Sequence, residues 1–285
     1  MHYLNSDNPS LSIIIPALNE ARFIGRVLDA LAAQTYKDFE VIVVDGGSKD
    51  NTVDIASSYA YRLPALRIIT ELKRGVSRAR NRGAEEARAP YLLFLDADVY
   101  LDPDFLERNF KEFVARDVAA ATPYIKVLSV KRKDKLFEGI FNAVYLLFAR
   151  TKATMAGGYC IFSKKSVHDK IGGFDETILI AEDHDYVRRA KKYGGFALLH
   201  GPRIHMSVRR WDEEGRARIM GTYVAVGFYN ILKGNVRSDV FRYHFGRYSD
   251  SAAESSELFV NIYRPVSDVF GELAKELEID VASDL

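Results

Sequence analysis

The 285-residue chain carries 40 Lys or Arg against 39 Asp or Glu, and a net charge of +1 argues against a dedicated nucleic-acid-binding protein. With 48% hydrophobic residues the chain can bury a large core, and its single cysteine, Cys160, excludes an internal disulfide or a cysteine-based metal site. No apolar run approaches the roughly 20 residues that span a bilayer, and the N-terminus lacks a signal-peptide pattern, so we expect a cytoplasmic protein.

The first half of the chain alternates predicted strands and helices. Short apolar runs predict the strands, and a predicted helix follows each of the first four. The strands are Leu11–Ile15, Phe39–Val44, Leu66–Ile69, Tyr91–Leu95 and Val118–Thr122, and the helices are Ala21–Ala33, Thr52–Tyr61, Val76–Ala87 and one that Pro103 opens. A further strand is predicted at Phe196–Leu199. This alternation predicts an α/β domain with a largely parallel sheet.

Polar side chains follow three of these strands. Asn19 and Glu20 come after the first strand, Asp45 after the second, and Asp96 and Asp98 after the fourth. Because ligands of such sheets bind at the carboxyl ends of the strands, this edge is the predicted site. The two carboxylates of the D-x-D pair suit Mg²⁺ or Mn²⁺ bridged to phosphates. The alternative for each residue alone is a turn former or a helix cap.

The third predicted helix is rich in arginine. Arg78, Arg80 and Arg82 follow the basic pair Lys73-Arg74, and cations near a helix start can hold a diphosphate. Acidic groups for a metal and a ribose, beside basic groups for phosphates, suggest a nucleotide-diphosphate ligand. The sequence contains neither a P-loop nor a dinucleotide-binding glycine motif.

Seven short motifs lie in a fixed order along the chain. They are PALNE at 16–20, VVDGGSKDNT at 43–52, RGVSRARNRGAEEA at 74–87, FLDADV at 94–99, GGFDE at 172–176, AEDHDYVRRAKKYG at 181–194 and SVRRWDEEG at 207–215. In this order and spacing they resemble family 2 glycosyltransferases of the GT-A fold, over roughly residues 10–215. The DGGS sequence replaces the family's commoner DDGS.

The resemblance implies a fold and a division of the chain. The fold would be a Rossmann-like, mixed and mostly parallel sheet flanked by helices, with a mainly helical C-terminal extension. The expected segments are an N-terminal tail at 1–10, a nucleotide-sugar-binding half at 11–125, an acceptor-binding half of the same domain at 126–235 and the extension at 236–285.

The resemblance also implies roles for individual residues. The nucleotide sugar would be bound by Pro16, Ala17, Glu20, Asp45, Arg78, Arg80, Asp96, Arg209 and Arg210. The divalent metal, Mn²⁺ or Mg²⁺, would be bound by Asp98, Asp96 and His205. For His205 the alternative is a hydrogen-bonded structural histidine, with His200 as a competitor for the metal. For Arg209 and Arg210 it is a solvated basic turn.

Asp183 matches the catalytic base of inverting family members. Glu182 and Trp211 would lie near the sugar or the acceptor, as would Gly157 and Gly158, whose lack of a side chain lets backbone approach a ligand. The alternative for the two acids is the start of a helix, where negative charge is favourable. The alternative for the two glycines is a turn that enters a strand.

The implied activity is an inverting, metal-dependent hexosyl transfer that uses a UDP- or GDP-type sugar donor. The acceptor hydroxyl would belong to a glycan, a lipid-linked molecule or a small molecule, as in polysaccharide or glycolipid biosynthesis. Ser207 stands where processive synthases of the family carry Gln, which favours one linkage per turnover. The alternatives are a sugar-1-phosphate nucleotidyltransferase, whose glycine-rich basic loop PALNE does not resemble, and a non-catalytic nucleotide-sugar-binding protein.

The second half of the chain has two strongly apolar segments. They are Leu136–Phe148, which follows a basic run at 131–135, and Tyr223–Leu232. Three interpretations are open: a surface that contacts the inner face of the membrane and a lipid-linked acceptor, a homodimer face, or helices packed on the sheet.

Overall fold

The computed structural model describes residues 8–149, 151 and 154–207. The chain separates into two compact units. The first contains the described residues up to Glu176 and from Glu182 to Ser207, and the second contains Thr177–Ala181. Several predictions lie outside the described residues: the roles of Arg209, Arg210 and Trp211, the segment Tyr223–Leu232 and the extension at 236–285.

The described residues form alternating strands and helices. The strands are β1 (Leu11–Ala17), β2 (Phe39–Asp45), β3 (Leu66–Thr70), β4 (Tyr91–Leu95), β5 (Val99–Tyr100), β6 (Ala120–Val127), β7 (Cys160–Lys164) and β8 (Phe196–Met206). The helices are α1 (Ile24–Ala32), α2 (Thr52–Ser57), α3 (Val76–Glu86), α4 (Phe105–Arg116), α5 (Arg132–Ala149), α6 (Lys165–Ile171) and α7 (Glu182–Lys191).

All of these strands join one sheet in the order β3-β2-β1-β4-β7-β6-β8-β5. The strands from β3 to β4 run parallel, as do β6 and β8. β7 runs antiparallel to both of its neighbours, and β5 runs antiparallel to β8. The predicted mixed, mostly parallel sheet is confirmed.

The central strands are buried on both faces, which explains why they read as continuous apolar runs. Ile13 and Ile15 point into the core shared with α1 and α4, whereas Ile14 belongs to the core shared with α3 and α7. Helix α3 lies so close to β1 that a Cβ atom on Gly83 would stand 2.4 Å from Ile14 Cγ2. The sheet thereby holds α3 and its arginines at a fixed height above β1.

Several elements differ from their predicted bounds. Helix α1 begins at Ile24 rather than Ala21, and strand β6 covers Ala120–Val127 rather than Val118–Thr122. Helix α2 ends at Ser57 rather than Tyr61, because the hydroxyls of Ser57 and Ser58 donate to carbonyls one turn back and compete with the helix pattern. Strand β8 continues to Met206, well past the predicted end at Leu199. Residues 136–148 lie within α5, and no helix in the described ranges is both long enough and apolar enough to cross a membrane.

Candidate active site

The carboxyl ends of β1, β2 and β4 meet at one edge of the sheet. Ala17 pairs with Asp45 across the β1–β2 ladder, and the preceding residue is Pro16. All three belong to the predicted nucleotide-binding residues. The Ala17 carbonyl accepts a hydrogen bond from Gly46 N–H at 2.8 Å. The first two motifs therefore lie side by side where the sequence predicts a ligand.

The loops after β1 and β2 are held together by side-chain bonds to backbone. Asn19 N–H donates to Ser48 Oγ at 2.9 Å, and Asn19 Oδ1 accepts from Lys49 N–H at 2.8 Å. Glu20 N–H donates to Thr52 Oγ1 at 2.8 Å. Asn19 has a φ of 56°, a left-handed conformation that asparagine tolerates better than most residues. The loops after β1 and β2 thus form one polar surface, which we call the polar floor.

Asp45 is buried and shapes the turn that follows its own strand. Its Oδ2 accepts the Gly47 N–H at 3.0 Å, and both carboxylate oxygens lie 3.2 Å from the Ser48 nitrogen. Gly47 has a φ of 84°, which favours glycine at this position of the DGGS sequence. The predicted contact of Asp45 with a nucleotide base stays a prediction.

Arg80 joins the D-x-D motif to the acid pair. Its guanidinium donates to Glu182 Oε1 at 2.8 Å, to Asp96 Oδ1 at 3.1 Å and to the Gly158 carbonyl at 3.1 Å. Its Cζ lies 5.2 Å from the centre of the Phe174 ring. The side chain is only 3% exposed, so its charge is compensated by these groups rather than by water. Four sequence motifs meet at this one side chain.

Gly158 connects Arg80 to Asp183 through the two ends of its backbone. Its carbonyl accepts from Arg80, and its N–H donates to Asp183 Oδ2 at 2.6 Å. The His184 N–H donates to Asp183 Oδ1 at 2.8 Å, so both carboxylate oxygens are oriented. A Cβ atom on Gly158 would lie 2.4 Å from Arg80 Nη2. The close approach that this glycine permits is therefore to the guanidinium.

Gly157 lies in the turn before β7. A Cβ atom there would lie 1.9 Å from the Tyr159 ring, so this position also needs glycine. Both predicted glycines thus have a packing reason within the described residues. Their proximity to a sugar or an acceptor stays a prediction.

Burial raises the pKa of both acids of the pair. Desolvation is the main cause for Glu182, whose pKa is raised to about 7, with the nearby Asp183 charge adding to it. Desolvation also raises the pKa of Asp183 to about 6, against the lowering effect of Arg80 and of the two N–H donors. The Asp183 side chain is 17% exposed, so it stays accessible. A carboxylate of this kind suits a general base.

The arginines of α3 divide between two sides of the helix. Arg78 donates to Glu71 Oε2 at 2.9 Å and lies 3.4 Å from Glu176 Oε1, whereas Arg82 pairs with Glu86 at 2.7 Å. These two are partly exposed, unlike the enclosed Arg80. The predicted contact of Arg78 or Arg80 with a diphosphate stays a prediction.

The predicted metal ligands lie near the end of β4 and in β8. Asp96 uses one oxygen for Arg80, and Asp98 directly precedes β5. His205 stands opposite Tyr100 in the β5–β8 ladder, with Nε2 3.0 Å from Asp102 Oδ2. Within the described ranges, His205 Nδ1 is buried without a hydrogen-bond partner, and no three acidic, histidine or cysteine side chains form a metal cluster. The binding of a metal by Asp96 and Asp98 stays a prediction.

Two residues of this region carry roles that the sequence did not reveal. Asn81 holds Phe174 by both ends: its Oδ1 accepts the Phe174 N–H at 2.8 Å, and its Nδ2 donates to the Phe174 carbonyl at 2.9 Å. This places the Phe174 ring against Arg80. The sequence did contain a signal for Phe174, because this residue belongs to the GGFDE motif. The resemblance identifies that motif but gives its phenylalanine no role.

Comparison with protein families gives one match that covers more than half of the chain. Residues 12–172 match the model described as Glycosyl transferase family 2. This range contains PALNE, the DGGS turn, the arginines of α3, the D-x-D motif and part of GGFDE. It ends before the Glu182–Asp183 pair.

Two relatives illustrate the similarity in sequence. A PGL/p-HBAD biosynthesis glycosyltransferase of Mycobacterium tuberculosis is 36% identical over 209 residues, which cover 73% of this chain and 78% of that protein. The chondroitin synthase of Pasteurella multocida is 32% identical over 195 residues, or 67% of this chain. The chain spans only 20% of the length of that synthase.

Solved structures show the same fold. A mannosyltransferase from Pyrobaculum calidifontis, solved with GDP-Man and Mn²⁺, has a TM-score of 0.63 at 18% identity, over 95% of this chain and 86% of that one. TarS 1–349 of S. aureus, solved with UDP, has a TM-score of 0.59 at 20% identity, over 94% and 83%. The predicted GT-A fold is confirmed.

Proposed function

The chain belongs to glycosyl transferase family 2, and on this premise we propose that it transfers a sugar from a nucleoside-diphosphate sugar to an acceptor hydroxyl with inversion. The observation that carries the proposal is the buried link through Arg80, which holds Asp96 next to the Glu182–Asp183 pair. Transfer by a single displacement needs these parts together, because the diphosphate leaves from one face of the anomeric carbon while the acceptor attacks the other.

Asp183 is the proposed general base. As the acceptor oxygen attacks the anomeric carbon, a carboxylate oxygen of Asp183 takes the hydroxyl proton. Its raised pKa supports this role, because a general base is most effective when its pKa lies near the working pH of the enzyme. The N–H groups of Gly158 and His184 orient the carboxylate, and Glu182 acts through Arg80 as a positioning residue.

The donor nucleotide is proposed to lie on the polar floor at the ends of β1 and β2. Pro16, Ala17, Glu20 and Asp45 are the proposed contacts, and the inter-loop bonds of Asn19 and Glu20 support a fixed surface there. The neighbouring structures with UDP and GDP-Man support a UDP- or GDP-type donor.

A divalent metal, Mn²⁺ or Mg²⁺, belongs to the proposal. Asp96 and Asp98 would hold it, since both supply the oxygen donors that these ions prefer, with donor phosphates as further ligands. When bound, the metal neutralises charge on the leaving diphosphate. The mannosyltransferase neighbour was solved with Mn²⁺. A contact of His205 with the metal stays a prediction, and its bond to Asp102 would orient the ring for it.

The acceptor is proposed to be a glycan, a lipid-linked molecule or a small molecule, with one linkage formed per turnover. Ser207, which replaces the glutamine of processive relatives, supports the single linkage. The family match and the oriented Asp183 favour transfer over a nucleotidyltransferase or a non-catalytic binding protein.

Donor binding provides the first test of this proposal. A UDP- or GDP-sugar at about 100 times its Kd is expected to stabilise the fold by about 2.7 kcal/mol, which raises Tm by several degrees. The melting temperature should be measured with UDP-, GDP- and dTDP-sugars, each with Mn²⁺ and with excess EDTA. We expect the largest shift with Mn²⁺ present.

Asp98→Asn is the matched variant for the metal. It is expected to reduce the Mn²⁺-dependent part of the shift, whereas Asp104→Asn, an exposed change in the next loop, should leave it intact. Absence of stabilisation by every donor, with and without Mn²⁺, would contradict the proposed activity.

A further inference from the structure

Helix α5 is oriented with acidic side chains inward and leucines outward. Asp134, Glu138 and Tyr145 are buried, and they follow one another at helical spacing. On the opposite side, Leu136 and Leu147 are 65% and 67% exposed. Tyr145 and Ala149 pack on the core as expected, but an amphipathic surface helix normally turns its acids outward and its leucines inward. The exposed side therefore needs an explanation other than packing on the sheet.

Specific polar bonds fix this orientation. Asn142 Oδ1 accepts the Ile125 N–H, and its Nδ2 donates to the Ile125 carbonyl, both at 3.0 Å. Glu138 accepts the Val127 N–H at 2.9 Å and pairs with Arg203 at 3.1 Å. The inner face of α5 thus completes the hydrogen bonding of β6. Rotation of the helix to bury its leucines would break all of these bonds.

Six large apolar side chains are exposed on α5 and in the segment that precedes it. This α5 face consists of Leu128, Val130, Leu136, Ile140, Leu146 and Leu147. Val130 is 98% exposed. Large exposed apolar patches rimmed by polar residues mark sites that bind proteins or membranes.

Basic side chains border the α5 face at its N-terminal end. Lys131, Arg132 and Lys133 are exposed, whereas the acid among them, Asp134, is buried and accepts from Ser129 Oγ. Lys135 is also exposed, but it forms an ion pair with Glu138 at 3.0 Å. The charge presented at this end is positive, although the chain as a whole is nearly neutral. Leucines next to lysine and arginine complement a bilayer whose headgroups are anionic, because the apolar part enters the interface and the cations meet the phosphates.

We infer that the α5 face is a peripheral binding surface for a bilayer rich in anionic phospholipid. The leucines insert at the level of the headgroups, and the basic residues contact lipid phosphates. The helix lies in the plane of the interface and does not span it, in keeping with its exposed cations and buried acids. The inference is independent of the proposed sugar transfer.

The test is co-sedimentation of the full chain with vesicles. We expect binding to vesicles of phosphatidylcholine with about 40% phosphatidylglycerol to be at least tenfold stronger than to phosphatidylcholine alone, and to weaken at high salt. Leu147→Glu and Leu136→Glu should each lower the partition coefficient about tenfold or more. Lys133→Glu should lower it about fivefold or more. Tyr61→Glu, at a fully exposed aromatic away from α5, is the matched control and should bind normally.

Thermal melting of each variant checks that the fold is intact, and sedimentation velocity gives the oligomeric state. Weak binding to both kinds of vesicle, or binding that Leu147→Glu leaves unchanged, would overturn the inference. So would a dimer that Leu147→Glu converts to a monomer without any effect on vesicles, because the α5 face would then be a contact between two copies of the chain.

Discussion

Asp183→Asn is expected to lower turnover by about 10²–10⁴-fold while donor binding survives, because it removes the proposed base. The asparagine amide oxygen can still accept the Gly158 N–H, whereas its NH2 group cannot accept the His184 N–H, so one of the two backbone bonds is kept. The measurement is the steady-state release of nucleoside diphosphate in the presence of an acceptor, together with donor binding by calorimetry.

The control for this variant is Asp185→Asn, two residues further along α7. Asp185 is also buried and acidic, but it forms an ion pair with Arg189 at 2.6 Å, one turn further along the helix. We expect little change in turnover beyond that caused by a loss of stability. Turnover of Asp183→Asn equal to that of the unmodified chain would remove Asp183 from the role of base.

The pH dependence gives an independent reading of the same residue. A general base acts only when deprotonated, so a raised pKa moves the acid limb of the profile to higher pH. We expect kcat/KM to fall as the pH drops through about 6, where Asp183 gains its proton. Because the adjacent Glu182 also has a raised pKa, the fall of kcat/KM at low pH reflects the titration of both carboxylates rather than of one residue. A profile that stays flat down to about pH 4.5 would contradict the proposed base.

Arg80→Met is expected to have the second large effect, on stability as well as on activity. The change leaves Glu182 and the Gly158 carbonyl buried without their donor, and loss of one partner from a buried ion pair costs about 3–5 kcal/mol. Asp96 is partly solvated, so most of the loss arises at Glu182. We expect a melting temperature lower by roughly 6–15 °C and turnover reduced at least about 100-fold.

Arg82→Met is the matched control, since it removes the same group from the same helix. Arg82 pairs with Glu85 and Glu86 at the surface, where such pairs contribute at most about 1 kcal/mol. Arg80→Lys tests geometry, because one ammonium cannot reproduce the planar fork that serves three acceptors. Equal stability and activity of Arg80→Met and Arg82→Met would contradict the central position given to Arg80.

Much of the fold could be predicted from the chain because its strands are short apolar runs that end at polar motifs. Leu11–Ile15 and Phe39–Val44 are examples, and the structure extends each by one or two residues. Strand direction was harder to predict. The segment around Cys160 and Phe162 becomes β7, antiparallel to β4 and β6, and nothing in its local pattern specifies which neighbours it pairs with.

The site was predictable as a set of motifs but not as a set of contacts. The sequence does not distinguish the three arginines of α3, Arg78, Arg80 and Arg82. The placement of α3 over β1 buries Arg80 and leaves the other two at the surface. Likewise, the apolar run of α5 favours a core helix by composition. The inward polar side chains of α5 are explained by β6, whose backbone N–H groups donate to Asn142 and Glu138. Such pairings join residues distant in sequence, which a single chain does not reveal.

The bonds between the loops after β1 and β2 have a consequence for how a donor would associate. The two loops are joined within the protein itself by the bonds from Asn19 N–H to Ser48 Oγ and from Glu20 N–H to Thr52 Oγ1. The loops therefore lose their conformational entropy when the protein folds and not when a ligand binds. A nucleotide that docks there meets a preorganised surface, so its affinity depends on complementarity with these loops rather than on their closure around it.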